Sequence, residues 1–298
     1  MKRVAISGAR GLVGRALRER LEAEGVEVVA MVRSREREGI SWSAERGELD
    51  EAALSEVDAV VHLAGESLAA SRWTEAQKKR ILESRVKGTE LIAGALARME
   101  KGPKTLICAS AVGYYGDTGS QWVDETAPSG EGFLAEVCRA WEEACEPARG
   151  AGVRVVNARL GVITSSEGGA LDKMMLPFKM GVGGPMGSGD QYMSWVALDD
   201  VVGALRWLLL ESELEGPVNV VSPNPVTNAE FAKALGKAMH RPAVMPTPGF
   251  ALKIALGKEM AEEMLLIGQR VRPKRLQEGG YAFEHPRVDE ALRDAVSE

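Results

Sequence analysis

Cysteine is scarce in this 298-residue chain. Cys108, Cys138 and Cys145 are scattered, too few for a disulfide framework. Histidine is equally sparse, and His62, His240 and His285 are dispersed in a way that matches no metal-ligand spacing. No metal site is therefore expected. The formal charge of -6 argues against a nucleic-acid partner. No apolar run approaches the ~20 residues of a spanning helix, so no membrane partner is expected either. The first residues lead straight into a strand pattern, so no signal peptide is expected, and a reducing cytoplasm is the simplest compartment.

What is present is the balance of a globular protein, 45% hydrophobic and 27% charged, in a chain long enough for one large domain or one domain with a smaller companion. Its first 33 residues organise the rest. Val4-Ala-Ile6 is a short apolar run of the kind that forms a strand buried on both faces. Gly8, Gly11 and Gly14 follow at a spacing of three, with Arg10, Leu12 and Val13 among them. Leu12, Val13, Ala16, Leu17 and Leu21 then recur at helical spacing opposite a charged face, and Gly25 ends the helix. Val26 to Val32 is a second strand. Strand, glycine turn, helix and strand make a βαβ unit whose helix N-terminus receives a pyrophosphate.

The end of the second strand selects the cofactor. An acidic residue there would bind the ribose 2'-hydroxyl of NAD. This chain has Arg33 followed by Ser34 and Arg35, with Arg10 in the glycine loop. A guanidinium matches a 2'-phosphate, so the expected cofactor is NADP(H).

Further strands are expected at Asp58 to Gly65, Thr105 to Ser110 and Gly152 to Leu160, with helices over Thr74 to Met99 and Glu131 to Ala148. Small residues close the first of these strands, so Leu63, Ala64 and Gly65 are expected to line the cofactor. Gly88 and Gly94 interrupt the long helix in a way that suggests close packing. This alternation predicts an α/β fold: a Rossmann-type doubly wound parallel sheet with a smaller C-terminal α+β substrate lobe. The expected division is 1–165 for the nucleotide-binding domain, with later segments returning to it, and 166–298 mainly for the smaller lobe. In that second half, Gly181 to Gly189 reads as a glycine-rich loop, Asp199-Asp200 as a helix cap, Thr227 and Glu230 as a capping box, and Met260 to Leu266 as helix.

Several phrases together resemble the extended short-chain dehydrogenase/reductase superfamily. They are Gly8 to Gly14, Val60-Val-His-Leu-Ala-Gly65, Ser110 to Gly116 and Trp195 to Val201. Leu63-Ala-Gly-Glu66, Arg159-Leu-Gly-Val162, Leu176-Pro-Phe178, Gly183 to Gly189, Thr227 to Phe231 and Gln269 to Arg275 are more similar to its atypical branch, the "epimerase family protein" or YfcH-like group. The resemblance covers essentially the whole chain. It implies a Rossmann domain with a C-terminal substrate lobe and NADP as cofactor. It also implies nucleotide contact by Arg85, with Arg159 and Leu160 toward the nicotinamide.

The chain departs from the superfamily at its catalytic pair, a Tyr with a Lys four residues later. Phe133 and Val137 fall at those positions, and Ala111 falls where the usual Ser or Thr stands. Neither Phe nor Val exchanges a proton. Tyr114, Tyr115 and Ser110 are the remaining catalytic candidates. Two readings follow. One is an NADP(H)-binding, epimerase-like oxidoreductase acting on an unidentified small molecule. The other is a non-catalytic NADP-binding protein that regulates or senses redox state.

Overall fold

The computed structural model describes residues 1–33 and 38–297. Two compact units are built from interleaved stretches of chain. The first comprises 1–110, 137–158 and 202–218, and the second comprises 111–136, 159–201 and 219–298.

The path begins with β1 (Arg3–Ser7), α1 (Leu12–Ala23), β2 (Glu27–Val32), β3 (Ile40–Ser43), β4 (Glu48–Leu49) and α2 (Glu51–Leu54). It continues through β5 (Ala59–His62), α3 (Glu75–Arg98), β6 (Thr105–Ala111), a 3-10 turn (Val112–Tyr115), β7 (Trp122–Val123), α4 (Phe133–Glu143), α5 (Glu146–Gly150) and β8 (Arg154–Leu160). Next come β9 (Val162–Thr164), α6 (Gly169–Lys179), β10 (Tyr192–Met193), β11 (Trp195–Ala197), α7 (Leu198–Leu210) and β12 (Gly216–Val220). The chain ends with β13 (Val226–Thr227), α8 (Asn228–Ala238), α9 (Gly249–Leu256), α10 (Lys258–Ala261), β14 (Arg270–Val271), α11 (Lys274–Glu278) and α12 (Val288–Ser297).

An eight-stranded sheet in the order β12-β8-β6-β5-β1-β2-β3-β4 forms the frame. β1 pairs in parallel with β2 on one side and β5 on the other, while β4 turns back antiparallel to β3. Chain order reverses beside β1, which makes the β1/β5 crevice the switch point where ligands bind in doubly wound sheets. The expected Rossmann-type sheet is therefore the observed one. Val4, Ala5 and Ile6 are fully buried, as the unbroken apolar run required.

The first unit packs helices on this sheet through Leu17 and Leu21 of α1 and Ile81, Ile92 and Leu96 of α3. Thr74 caps α3 by accepting from the Gln77 amide, and Asp50 caps α2 likewise from Ala53. Gly88 does allow close packing: a Cβ there would stand 3.3 Å from the Trp42 ring and 3.4 Å from His62. At Gly94 the added atom would meet only the end of the Arg98 side chain. The helix expected over Glu131 to Ala148 is instead two. Pro147 opens α5 at its first turn, where the missing amide costs nothing.

The second unit has its own core. Leu171, Met175 and Phe178 of α6 meet Trp195, Phe231 and Leu235 of α8, and Leu292 and Ala295 of α12. The Thr227–Glu230 capping box is present as read. Asp199 and Asp200 do not cap α7, because that helix begins at Leu198 and takes both into its first turn. Asp200, fully buried, instead accepts from the backbone amides of Glu284 (2.8 Å) and His285 (3.0 Å), pinning the segment before α12. Met260 to Leu266 is helical but turns from α10 into a π-helical stretch, Glu262–Leu266. Among the described residues, no helix is long and apolar enough to cross a membrane, and no group of His, Cys, Asp or Glu is placed to hold a metal.

A methyl group at Gly14 would run into the carbonyl oxygen of Gly8. Gly14→Ala should therefore lose about 1–3 kcal/mol of stability in urea unfolding, because the obstacle is backbone and cannot rotate away.

Candidate functional site

The glycine loop sits at the carboxyl end of β1, directly before α1. Gly8 adopts φ +71°, and an added Cβ would come within 3.0 Å of the Leu63 carbonyl carbon. Glycine is thus required both for the turn and for the approach of the two strand ends. Gly11 donates to the Gly8 carbonyl at 2.8 Å and stands at the N-cap of α1. No side chain caps this helix and no acid lies in its first turn, so the helix presents amide donors and positive potential without an internal anion.

Ser7 and His62 complete the crevice from below. They are register partners across β1 and β5, and Ser7 Oγ lies 2.6 Å from His62 Nδ1. The same hydroxyl accepts from the amides of Leu63 (3.1 Å) and Ala64 (3.3 Å). With two amides donating to it, the serine donates its own proton to Nδ1, which leaves the ring proton on Nε2. Among the described residues Nε2 has no hydrogen-bond partner, and the Trp42 ring meets the imidazole edge-on at 5.6 Å. Burial, with the Arg85 charge adding to it, pushes the His62 pKa down to about 4. The imidazole is accordingly a neutral positioning group. In the sequence His62 is one of three dispersed histidines and a member of the Val60–Gly65 phrase, and its hydroxyl partner Ser7 is 55 residues away.

Arg85 lies against the turn after β5. It donates to the carbonyls of Glu66 (2.9 Å) and Ile81 (3.1 Å), and its guanidinium stacks 4.9 Å from the Trp141 ring centre. Burial lowers its pKa from the ordinary arginine value. Ser84 receives the Glu66 amide at 3.0 Å, so consecutive residues of α3 hold the Gly65–Glu66 turn. The expected nucleotide residues Gly8, Arg10, Gly11, Leu12, Val13, Gly14, Leu63, Ala64, Gly65 and Arg85 are thus gathered on the carboxyl ends of β1 and β5 and the elements that follow them. Arg33 follows β2, and both Arg10 and Arg33 are exposed. Ser34 and Arg35 lie outside the described residues.

Of the catalytic candidates, Ser110 belongs to the first unit. It is buried, and its hydroxyl donates to Glu142 at 2.7 Å. The second unit brings Tyr114, Tyr115 and Arg159 together. Arg159, 3% exposed, donates to the Tyr115 oxygen at 2.9 Å, and its guanidinium carbon lies 3.4 Å above the Tyr114 ring centre. Tyr115 in turn donates to Asn219 at 2.7 Å. Burial pushes its pKa up to about 12, against the opposing pull of Arg159. Its hydroxyl is therefore committed to the interior. The Tyr114 ring is half-buried, and no described residue takes a hydrogen bond from its hydroxyl. Leu160, which follows Arg159, is half-buried at the end of β8.

Of the two residues that the resemblance sets against the superfamily's Tyr and Lys, Phe133 opens α4 and Val137 is buried. The amides of Phe133 and Leu134 donate to the two oxygens of Glu263, at 2.9 and 2.8 Å. A carboxylate 130 residues away thus caps this helix, a contact no local motif announces.

The crevice, the uncapped α1 and the glycine loop define the class: a nucleotide-binding Rossmann-type protein. Residues 4–221 match the NAD dependent epimerase/dehydratase family, and residues 247–295 match a domain of unknown function, DUF1731. The chain belongs to that epimerase/dehydratase family. It is 46% identical over 296 residues to epimerase family protein Mb2239 of Mycobacterium bovis, covering 99% of this chain and 97% of that one. It is 36% identical to human epimerase family protein SDR39U1, covering 99% and 100%. The crystal structure of human SDR39U1 isoform 2 with NADPH superposes with a TM-score of 0.90 at 33% identity, covering 99% of both chains. Thermus thermophilus UDP-glucose 4-epimerase, solved with NAD, shares the fold with a TM-score of 0.76 at 20% identity.

The His62 shift sets a pH dependence. Its folded pKa lies below the unfolded value of 6.5, so the unfolded chain binds the proton first. The stabilisation is complete above pH 6.5 and is lost as pH falls toward 4, in all about 3 kcal/mol. Urea unfolding between pH 7 and 5 should show a slope near 1.4 kcal/mol per pH unit below 6.5 that His62→Gln lacks.

Proposed function

We propose that this chain is an NADP(H)-dependent oxidoreductase acting on a small carbonyl or hydroxyl compound. The observation that carries the reading is the exposed pair Arg10 and Arg33, set around the glycine loop and the β2 end where an NAD-specific site would carry an acid. NADPH in the human relative's crystal structure supports the same choice.

The residues fit the cofactor. The diphosphate is received by the uncapped N-terminus of α1, against a loop whose glycines keep side chains out of the way. Arg10 and Arg33 hold the 2'-phosphate with forked donors. Leu63, Ala64 and Gly65 leave room at the carboxyl end of β5, and Arg85 keeps that turn in place. Arg159 and Leu160 serve the nicotinamide end. When bound, the cofactor supplies or accepts a hydride at nicotinamide C4.

The proton that accompanies the hydride passes through Tyr114. Tyr115 and Ser110 spend their hydroxyls on Asn219 and Glu142, whereas the Tyr114 hydroxyl remains available and Arg159 holds its ring. In this reading Arg159 and Tyr115 are positioning residues and Tyr114 transfers the proton.

A second reading rests on Phe133 and Val137: a protein that keeps the nucleotide site without the superfamily's proton-transfer pair can report redox state rather than turn over. Turnover of any carbonyl compound in a substrate panel, followed by NADPH absorbance, supports the enzyme. Tight NADPH binding without turnover supports the sensor.

Two outcomes are expected. Arg33→Asp should weaken NADPH about 10–100-fold in calorimetric titration and leave NADH nearly unchanged, since only the 2'-phosphate contact is lost. Equal loss for both cofactors would remove Arg33 from the 2'-phosphate. Tyr114→Phe should lower kcat by ~100-fold or more, as expected for a proton donor. Tyr115→Phe should mainly cost about 1–3 kcal/mol of stability, because Asn219 loses its buried partner.

A further inference from the structure

We propose that the second unit docks on an anionic lipid bilayer through the apolar surface formed by the end of α6, the loop after it and α9. This inference is independent of the cofactor and the chemistry. In α6 and the following loop, Leu176 (58% exposed), Met180 (63%) and Val182 project into solvent. The loop is joined to a second one: Met245 donates to the Gly183 carbonyl (3.2 Å), Thr247 to that of Pro185 (2.8 Å) and Gly187 to that of Thr247 (2.9 Å). Val244 (75% exposed) and Met245 lie on this second loop, which leads directly into α9. That helix buries none of its residues. Phe250 and Ile254, one turn apart on the same face, are 69% and 70% exposed. Side chains this exposed stand out from the surface rather than line a groove, and their adjacency sets them apart from hydrophobics scattered singly.

Charge identifies the occupant. The chain carries 43 acids against 37 Lys and Arg. Yet residues 173–189 contain Lys173 and Lys179 with no acid, and residues 231–258 contain Lys233, Lys237, Arg241, Lys253 and Lys258 with no acid. The acids that bound these stretches are Asp172 and Asp190 for the first and Glu230 and Glu259 for the second, and Glu262 beyond them is ion-paired with Lys253 at 2.7 Å. Apolar tips among lysines match a bilayer whose acyl region takes the tips while its anionic headgroups meet the cations. A second copy fits poorly, because an isologous interface would set this cationic surface against itself. Run length excluded a helix that crosses a membrane; it does not bear on a surface that lies on one.

The test is flotation of the full chain with vesicles of equimolar phosphatidylcholine and phosphatidylglycerol, beside vesicles of phosphatidylcholine alone. The chain should float with the anionic vesicles only, and the binding should fall as salt rises. Phe250→Ser with Ile254→Ser should weaken it about tenfold or more, and Lys179→Gln with Lys258→Gln should weaken it without affecting the urea midpoint. Both pairs are surface changes, so an unchanged unfolding midpoint in each variant separates lost docking from lost fold. Three results overturn the proposal: no flotation with either vesicle, equal flotation with both, or a wild-type dimer in sedimentation that Phe250→Ser with Ile254→Ser converts to monomer.

Discussion

The cofactor crevice depends on how closely the ends of β1 and β5 approach. That approach is set by the absence of a side chain at Gly8 and by one serine hydroxyl that binds two amides of the neighbouring strand end and the ring of His62. The cost is a buried imidazole with an unmatched Nε2 and a pKa driven down to about 4. An unsatisfied buried donor costs on the order of 1–3 kcal/mol, so the fold tolerates an imperfection here. In return the loop that leads into α1 is fixed without a side-chain cap, and the helix amides stay open to an anion. Elsewhere Thr74 and Thr227 close the N-termini of α3 and α8 from within. The contrast between a helix end satisfied internally and one left open distinguishes support from site.

The second unit is held by a polar network of a different kind. Arg159 donates to Tyr115, Tyr115 to Asn219, and the Asn219 side chain to the Arg272 carbonyl at 3.0 Å. The Asn219 and Arg275 amides both reach Glu125, whose pKa is raised by burial. Gln269 donates to the Gly116 carbonyl at 2.9 Å, while Ser194 donates to the Gln269 carbonyl at 2.7 Å and accepts from the Val271 amide at 3.0 Å. The tail phrase Gln269 to Arg275 therefore ties together Gly116, Glu125, Ser194 and Asn219 within the second unit. Burying an arginine and a glutamate is costly unless they are hydrogen-bonded, and this network gives Arg159 the Tyr115 oxygen and one Glu125 oxygen two backbone amides.

What could be read in the sequence was what is local. Strand runs, the glycine turn and the Thr227–Glu230 box all report on neighbours within a few residues, and all appear as expected. The unread features are contacts between distant residues. Ser7 with His62, Glu263 on α4 and Asp200 on the Glu284–His285 amides span 55, 130 and 84–85 positions. Asp200 is instructive because its local signature, an acid at a helix start, is that of a cap; burial and two backbone donors from the tail redirected it. The site divides similarly. The glycine loop is a contiguous motif, whereas Tyr114 and Tyr115 separate only when their hydroxyl partners are known, because adjacent tyrosines are equivalent in a sequence.

The two residues that the resemblance sets against the superfamily's Tyr and Lys sit in different environments. Val137 is 2% exposed, so a lysine there would place an ammonium where a valine now packs. A buried cation of that kind requires a partner or loses its charge. Phe133 begins a helix whose first amides are already bound to Glu263, which fixes the helix start without any contribution from the residue-133 side chain. A lysine could not simply be placed at 137, since the valine there is buried. The proposed proton transfer therefore turns to the 3-10 turn after β6, where one phenol is held through its ring by a guanidinium beside a second phenol that is locked into the interior.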